Sequence, residues 1–470
     1  ILVDEFQDTN EIQYRWLKIL AEPRNHIVAV GDDDQNIYAF DGASVEYIRR
    51  FEEDYRAKPE FLIENYRSTR HIIDAANAVI APATERMKLG HDITINRASA
   101  KEALGGAMAR LDPVGQGRVQ VLSCPGTWAD RACAAVDELI RLSNLDPDWD
   151  WSKTAIIARN WKLLEPVRSY AETKGISVEL ANEHLPSIWR LRETQLFIEH
   201  CKADPTPVLG VEAMRRHLER QPVNRWTELL GEGLSALARE IGESEMAVPD
   251  LVEWIAEWCR DTRGDQRGLL LLTAHRAKGL EFDDVVILDG DWTSTSRGED
   301  RDAPRRLFYV AMTRARRSLA VMANGQHPYI NCSLEAVLSR DLDPAMRQEA
   351  GDSLRYQLPD MELVDLSFAG RLMDWNPALQ AIARAKVGDP IQLVHEGQNW
   401  VIKNMAGRTI GRMRKSYRPP DGYHVQIIKI GAILRWRKAD NAEKFREVIK
   451  RDEWETVLPD IVFESRRHPT

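Results

Sequence analysis

The chain has 470 residues and a formal net charge of −9. That length holds about three domains, and the acid excess excludes a uniformly basic coat, so any nucleic-acid contact has to be local. No apolar run approaches the roughly 20 residues of a membrane-spanning helix and no secretory leader is visible, while five scattered cysteines without a C-x-x-C pair suggest neither a zinc site nor a disulfide framework and fit a reducing, cytoplasmic setting.

The chain opens on an apolar run, Ile1-Leu2-Val3, that ends in Asp4-Glu5 and is followed by Gln7 and Asp8. A buried strand that delivers two carboxylates at its C-terminal end is how α/β nucleotide-hydrolysing folds hold a metal and activate water. A second apolar run, 27–30, ends in Gly31-Asp32-Asp33-Asp34-Gln35, and the amphipathic segment 12–20 joins the two into a βαβ unit. Alone, Asp-Glu after a short apolar run reads equally as a solvated strand end. Together, VDEFQDTN and VGDDDQNIYAFDGA closely resemble motifs II and III of the UvrD/Rep/PcrA family of superfamily 1 DNA helicases. The resemblance implies that Asp4 orients Mg²⁺ through water, that Glu5 takes a proton from attacking water, and that Gln35 senses the γ-phosphate of ATP. It also implies that Tyr38 and Phe40 meet single-stranded DNA. Such an ATPase needs a G-x-x-x-x-G-K-[ST] loop to cradle phosphate, and no such run occurs in these residues. In the family that loop lies upstream of the Asp-Glu strand, so the chain is expected to be a C-terminal piece of a longer polypeptide.

Segment 45–55 reads as a helix, and 61–63 as a strand running into Glu64-Asn65-Tyr66-Arg67-Ser68-Thr69. Ser68 or Thr69 can cap the next helix, whose stripe is Ile72, Ile73, Ala76, Val79 and Ile80. Tyr66-Arg67 alone is a surface pair before a helix. NYRS, however, resembles motif IV of the family, which implies that Tyr66 stacks on adenine and Arg67 reaches the γ-phosphate. An arginine suits that task because it stays charged and forks onto phosphate. Residues 89–117 are loop-like. Strands at 119–122 and 154–158 then alternate with helices at 128–142 and 163–174. From 183 to 266 the β alternation is lost and four helical patterns follow (187–201, 211–220, 225–241, 248–260), a small helical insertion shorter than the family's.

An apolar strand at 269–272 leads into TAHRAKGLEF, with a further strand at 285–288. That stretch resembles motif V, which implies that His275 and Lys278 touch the DNA strand, that Gly279 lies at the nucleotide and that Glu281 meets the ATP ribose. The plainer reading of Glu281 is a solvated turn carboxylate. Asp302-Ala303-Pro304 starts a helix with the stripe Leu307, Val310, Ala311, and Arg314 is the next position on it. An arginine on a buried face needs an anionic partner, either a carboxylate or a bound phosphate. RRLFYVAMTRARRSL resembles motif VI, which implies that Arg314 is an arginine finger.

The expected fold is α/β, with RecA-like P-loop NTPase motor domains. The first is truncated (1–58), and the second lies in two parts (59–182 and 267–330) around the helical insertion (183–266). A linker with short helices (331–389) and a small β-barrel-like domain (390–470) complete it. In that last domain Lys403, Arg408, Arg412, Arg414, Lys415, Arg418, Lys429, Arg435 and Arg437 interleave with Trp400, Tyr417, Tyr423 and Trp436. This reads equally as a nucleic-acid patch or as a docking face for a protein. Phe40 and Asp41 stand where motif III of the family has a tryptophan and a cation. These departures, the trimmed insertion and the tail resemble a branch in which a UvrD-like half is fused behind a RecQ-like helicase. The implied activity is an ATP-dependent 3′→5′ helicase on single-stranded or partly duplex DNA in repair or recombination. The alternative is a non-catalytic module that binds nucleic acid or docks a protein. A helicase–nuclease fusion ranks low, because the tail shows no acid cluster with a lysine arranged for metal-dependent cleavage.

Overall fold

The computed structural model describes all residues except 23–25, 39–41, 85, 97–101, 182–185, 243, 262–267, 296–299, 343–353 and 467–470. The chain divides into two compact units, Ile1–Ala181 with Gln266–Asp352, and Asn182–Asp265 with Ser353–Thr470.

In the first unit, β1 (Leu2–Val3) pairs in parallel with β2 (Val28–Ala29), and α1 (Glu11–Ala21) connects them. Asn10 and Gln13 form a capping box that starts α1 by satisfying two otherwise orphaned N–H groups. Tyr14, Leu17 and Ala21 face inward against Phe6 and against Phe51 of α2 (Glu46–Tyr55). The opposite face of α1 leaves Ile12, Trp16 and Ile19 exposed, and Leu2, Val28 and Val30 are exposed on the adjoining strands. So broad an apolar surface marks an interaction face.

There follow β3 (Glu64–Asn65), α3 (Arg70–Ile80), β4 (Thr94–Ile95), α4 (Met108–Leu111), β5 (Val119–Ser123), α5 (Trp128–Ser143), β6 (Thr154–Ala158), α6 (Glu165–Thr173) and β7 (Val178–Leu180). Strands Leu269–Thr273, Phe282–Ile287, Ala315–Ala323 and Val337–Asp341 complete a seven-stranded sheet. Its order is Val337–Asp341, β5, Ala315–Ala323, Phe282–Ile287, β6, Leu269–Thr273, β7, with every pair parallel. Parallel strands of this kind are covered on both faces and therefore read as unbroken apolar runs. In β6, Ala155 and Ile157 join one core with α3 and helix Ala303–Met312, and Ile156 and Ala158 join the other with α5 and α6.

Several expectations are corrected. The strand expected at 61–63 forms instead at Glu64–Asn65, paired with Thr94–Ile95; Leu62 is exposed and the Phe61 ring stacks on His91 at 4.0 Å. A strand forms where a partner ladder exists, and apolar character alone does not supply one. Thr69 stands at the N-cap of α3, but its side chain makes no capping bond. The loop at 89–117 holds β4 and α4, and it folds on itself so closely that a Cβ on Gly105 would meet the Gln116 carbonyl oxygen at 2.2 Å. The segment expected as a linker at 331–389 contributes Val337–Asp341, the edge strand of the large sheet.

His327 illustrates what burial does in this core. Its ring packs 4.6 Å from Phe308, and its Nδ1 accepts from the Tyr329 and Ile330 N–H groups at 3.3 Å each. Burial pushes its pKa down from 6.5 to about 4. The folded state thus favours neutral imidazole. That contribution is full above pH 6.5 and is lost as pH falls through the window from 6.5 to 4, by up to about 3 kcal/mol. Denaturant melts at pH 7 and pH 4 should show that His327→Gln loses less stability than the parent on acidification. Equal losses would contradict the assignment.

In the second unit, helices Arg192–Ala203, Val211–Leu218, Arg225–Ile241 and Val248–Asp261 carry their own core around Leu234, Leu237 and Leu251. Two three-residue strands not foreseen in the sequence, Val208–Gly210 and Glu245–Ala247, pair antiparallel. The C-terminal part forms two three-stranded antiparallel sheets. One comprises Leu354–Gln357, Glu453–Ser465 and Tyr423–Arg437, and the other Ile391–Glu396, Asn399–Asn404 and Thr409–Arg412. Tyr423–Arg437 is one continuous strand with a bulge between Ile430 and Ala432. A short helix, Glu443–Arg446, precedes the last strand.

Insertion and C-terminal part were expected as separate domains, yet they share a core and fall in one unit. Trp226 Nε1 donates to the Gly431 carbonyl, freed by the bulge, at 2.9 Å. Arg192 forks onto the Glu455 carboxylate and also donates to the carbonyls of Ile382 and Ala385. Five of the nine cations noted in the tail form ion pairs: Lys403, Arg412, Lys429, Arg435 and Arg437 pair with Glu396, Asp365, Asp460, Glu199 and Glu453. Tyr417 is buried and donates to Gln357 Oε1 at 2.6 Å; Trp400, Tyr423 and Trp436 are half-buried, so none of the four is an open stacking platform.

Candidate active site

The strand β1 ends at Asp4, and Glu5 sits in the left-handed region at φ 49°. That conformation is uncommon outside glycine and clusters at functional sites. Asp4 is exposed, and its Oδ1 accepts from the Glu5 N–H at 2.8 Å. The turn is held from beneath by Gln7, which is wholly buried. Gln7 Nε2 donates to Glu5 Oε2 at 2.5 Å, and its Oε1 accepts from the Asp32 N–H at 2.9 Å. Gly31 is required here: a Cβ would stand 2.9 Å from Gln7 Oε1.

β2 delivers the second cluster. Gln35 Nε2 donates to Asp32 Oδ2 at 2.8 Å. The three consecutive acids Asp32, Asp33 and Asp34 are stabilised by residues after α3: Arg86 forks onto Asp34, Lys88 pairs with Asp32 at 2.6 Å, and the Met87 N–H donates to Asp33 at 2.6 Å. Asp32 and Asp34 are paired with protein cations and Asp33 is held by a backbone N–H, so the run forms a brace between segments. The sequence reading named neither Arg86 nor Lys88. The available signal was the acid run itself, because buried carboxylates need cations.

Arg67 and Tyr66 are presented by a turn that Asn65 builds, its Oδ1 accepting from the N–H groups of Arg67 (2.9 Å) and Ser68 (2.8 Å). Ser68 Oγ donates to the Ala315 carbonyl at 2.7 Å, which anchors the turn to the large sheet. Tyr66 is exposed, with its hydroxyl on Glu64 at 2.9 Å. Arg67 pairs with Glu281, and its Nε is buried without a partner among the described residues. Gly279 holds φ 79°, with open space where a Cβ would point, so its backbone conformation is what calls for glycine.

Helix Ala303–Met312 ends two residues before Arg314, which lies in the turn into the next strand and not on the helix stripe. Its side chain folds back and remains buried at 3% exposure. Nε donates to the Val310 carbonyl (2.9 Å), Nη1 to the Leu280 carbonyl (3.3 Å), and Nη2 to Thr313 Oγ1 (3.0 Å) and Gln35 Oε1 (3.3 Å). No carboxylate pairs with it among the described residues. Burial, reinforced by the neighbouring Arg67 cation, pushes its pKa down to about 10.

Asp4, Glu5, Gln35, Arg67, Glu281 and Arg314 thus lie in one unit, with Gln35 bonded to Arg314 and Glu281 to Arg67. Lys278 has a different neighbourhood from the one expected. Its buried ammonium pairs with Asp8, lies 3.3 Å from Glu5 and donates to the Gln35 carbonyl at 3.2 Å. Clustered carboxylates draw the nearest cation inward. Burial pushes the Asp8 carboxyl up, and Lys278 opposes that shift. Tyr38 lies under Lys278 (5.3 Å to the ring), and its hydroxyl donates to the His275 carbonyl at 3.3 Å. Phe40 lies outside the described residues.

The donor set fits a magnesium polyphosphate. An exposed carboxylate at a strand end suits a hard cation held through water. A buried guanidinium hydrogen-bonded, among the described residues, only to neutral oxygens suits an incoming phosphate.

Comparison with known proteins agrees in kind. Residues 1–56 match the UvrD/REP helicase N-terminal domain, and residues 268–322 match the UvrD-like helicase C-terminal domain. DNA helicase II of Haemophilus influenzae is 52% identical over 87 residues, 18% of this chain and 12% of that protein. DNA helicase II of Escherichia coli is 54% identical over 81 residues, 17% of this chain and 11% of that protein. The YjcD protein of Bacillus subtilis is 26% identical over 403 residues, 71% of this chain, and the chain spans 51% of its length. A solved C-terminal domain from Lactobacillus plantarum covers 58% of this chain and 98% of its own at 15% identity, but its TM-score of 0.27 is too low for a structural comparison. The segments that hold Asp4, Glu5 and Gln35 on one side and Glu281 and Arg314 on the other are therefore similar to UvrD/REP-type helicase domains.

Proposed function

We propose that this chain supplies most of the catalytic side chains of an ATP-dependent 3′→5′ DNA helicase that moves along single-stranded DNA in repair or recombination. The observation that carries the reading is the meeting of strand-end acids with a buried, carboxylate-free arginine some 300 residues downstream, bridged by Gln35. The names of the matched relatives support DNA as the substrate.

Bound ATP with Mg²⁺ would supply the phosphoanhydride to be cleaved and the charge that holds it. Asp4 offers the oxygen for the cation, and Glu5 receives the proton of attacking water. Gln35 reports the terminal phosphate, and Arg67 and Arg314 stabilise negative charge as it develops. Tyr66 offers its exposed ring to the base, and Glu281 and Gly279 line the nucleotide side. Tyr38, His275 and Lys278 face the DNA strand, and the role of Phe40 rests on the sequence resemblance. Lys278 then has to leave Asp8 and Glu5, which couples the DNA side to the catalytic acids. Direction of travel and the RecQ-like fusion rest on the sequence resemblance.

The reading needs a phosphate-cradling loop that these 470 residues lack. The exposed apolar face of α1, β1 and β2 is where the rest of that motor domain packs. The purified 470-residue chain should therefore show no DNA-stimulated ATP turnover. The full-length polypeptide with its loop should hydrolyse ATP on single-stranded DNA and displace strands from a 3′-tailed duplex. Stimulated turnover by the short chain would refute the incomplete-motor reading. No stimulation in the full-length protein would favour the non-catalytic binding module.

A further inference from the structure

We propose that Gln7 is a positioning residue for ATP cleavage, setting the Glu5 carboxylate and tying it to Gln35 and Arg314. This rests on reading Glu5 as the base. Gln7 is fully buried, bonded to Glu5, Asp32 and Asn36. Its amide is used at both ends: Nε2 donates to Glu5 Oε2 at 2.5 Å, and Oε1 accepts from the Asp32 N–H at 2.9 Å. Its own carbonyl accepts from Asn36 Nδ2 at 2.6 Å, so its backbone is pinned as well.

From Asp32 the chain of bonds continues. Asp32 Oδ2 accepts from Gln35 Nε2 at 2.8 Å, and Gln35 Oε1 accepts from Arg314 Nη2 at 3.3 Å. Three side chains, those of Gln7, Asp32 and Gln35, and the Asp32 N–H therefore link Glu5 to the buried guanidinium. An amide is suited to the first link because it donates on one side and accepts on the other. A carboxylate in its place would repel Glu5, and an apolar side chain would leave the Asp32 N–H unpaired. Glu5 is held in a left-handed conformation that its neighbours must enforce, and Gln7 is the amide that reaches it. Any shift of Gln35 toward a terminal phosphate pulls on Asp32 and through Gln7 on Glu5, which aligns the base when the sensor is engaged.

The test uses the full-length polypeptide with Gln7→Met, which keeps length and packing, and Gln7→Glu, which keeps the acceptor and reverses the donor. Both should lower kcat about 10- to 100-fold when assayed well below either variant's thermal midpoint, with the Kd for a fluorescent ATP analogue unchanged within error, whatever stability the unpaired Asp32 N–H or the buried carboxylate costs. In the double variant with Glu5→Gln, Gln7→Met should produce no further loss, because the group it positions is gone. A kcat within twofold of the parent, a loss that tracks a fall in thermal midpoint in both variants, or additive losses in the double variant would each overturn the proposal. Full turnover in Glu5→Gln alone would instead sink the reading of the base, an outcome separate from any result on Gln7.

Discussion

Arg314→Met is expected to cut DNA-stimulated ATP turnover in the full-length protein by about 10³- to 10⁵-fold while leaving the protein at least as resistant to heat. The two halves of that result have one cause. Arg314 is a buried cation whose hydrogen-bond partners are all neutral oxygens. A buried charge without an opposite charge is destabilising. The depressed pKa, about 10, expresses the same fact. The sign follows: the penalty is full at pH below about 10, fades as pH rises from there toward the ordinary arginine value, and leaves Arg314 charged throughout the physiological range. A phosphate arriving beside it cancels the penalty and gains charge-assisted hydrogen bonds. Methionine removes the penalty and the function together. Non-hydrolysable ATP should therefore raise the thermal midpoint of the parent more than that of the variant. A variant that melts well below the parent, or turns over at a tenth of its rate, would show that Arg314 has a structural partner instead.

Glu5→Gln is the second large effect, a fall in kcat of about 10²- to 10⁴-fold with nucleotide affinity kept within a few-fold. The substitution preserves shape and the hydrogen bond from Gln7 can be replaced by an amide oxygen, but the side chain no longer accepts a proton from water. Binding survives because Asp4, Arg67 and Arg314 are untouched. Single-turnover hydrolysis and equilibrium binding measured side by side decide it: parallel loss of both assigns Glu5 to binding, and survival of turnover moves the base elsewhere.

Much of the site was legible before any coordinates. The acids at the end of β1, the Gln35 segment, NYRS, TAHRAKGLEF and the helix before Arg314 are local patterns, each set by a few adjacent residues whose chemistry demands a strand end, a tight turn or a helix terminus. The β6 and α5 boundaries were close to those expected because an unbroken apolar run and a 3.6-residue stripe have few other solutions. Other features depended on partners far away in the chain. The strand expected at 61–63 moved because its ladder partner lies at Thr94–Ile95. The acids that pair with Arg412, Arg435 and Arg437 of the tail, Asp365, Glu199 and Glu453, likewise come from elsewhere in the chain or the sheet.

Composition and short motifs, then, were enough to indicate an α/β protein and to single out acids and arginines that the fold gathers in one unit, since strand-end and turn chemistry is written within a few neighbouring residues. Tertiary structure alone decided that Lys278 rests on Asp8, that Arg86 and Lys88 brace the triple acid run, that the helical insertion shares a core with the C-terminal sheets, and that Gln7 joins Glu5 to Gln35 through Asp32. Each of those pairings spans a separation in sequence over which no local pattern operates, and each follows from the cost of leaving a buried polar or charged group without a partner.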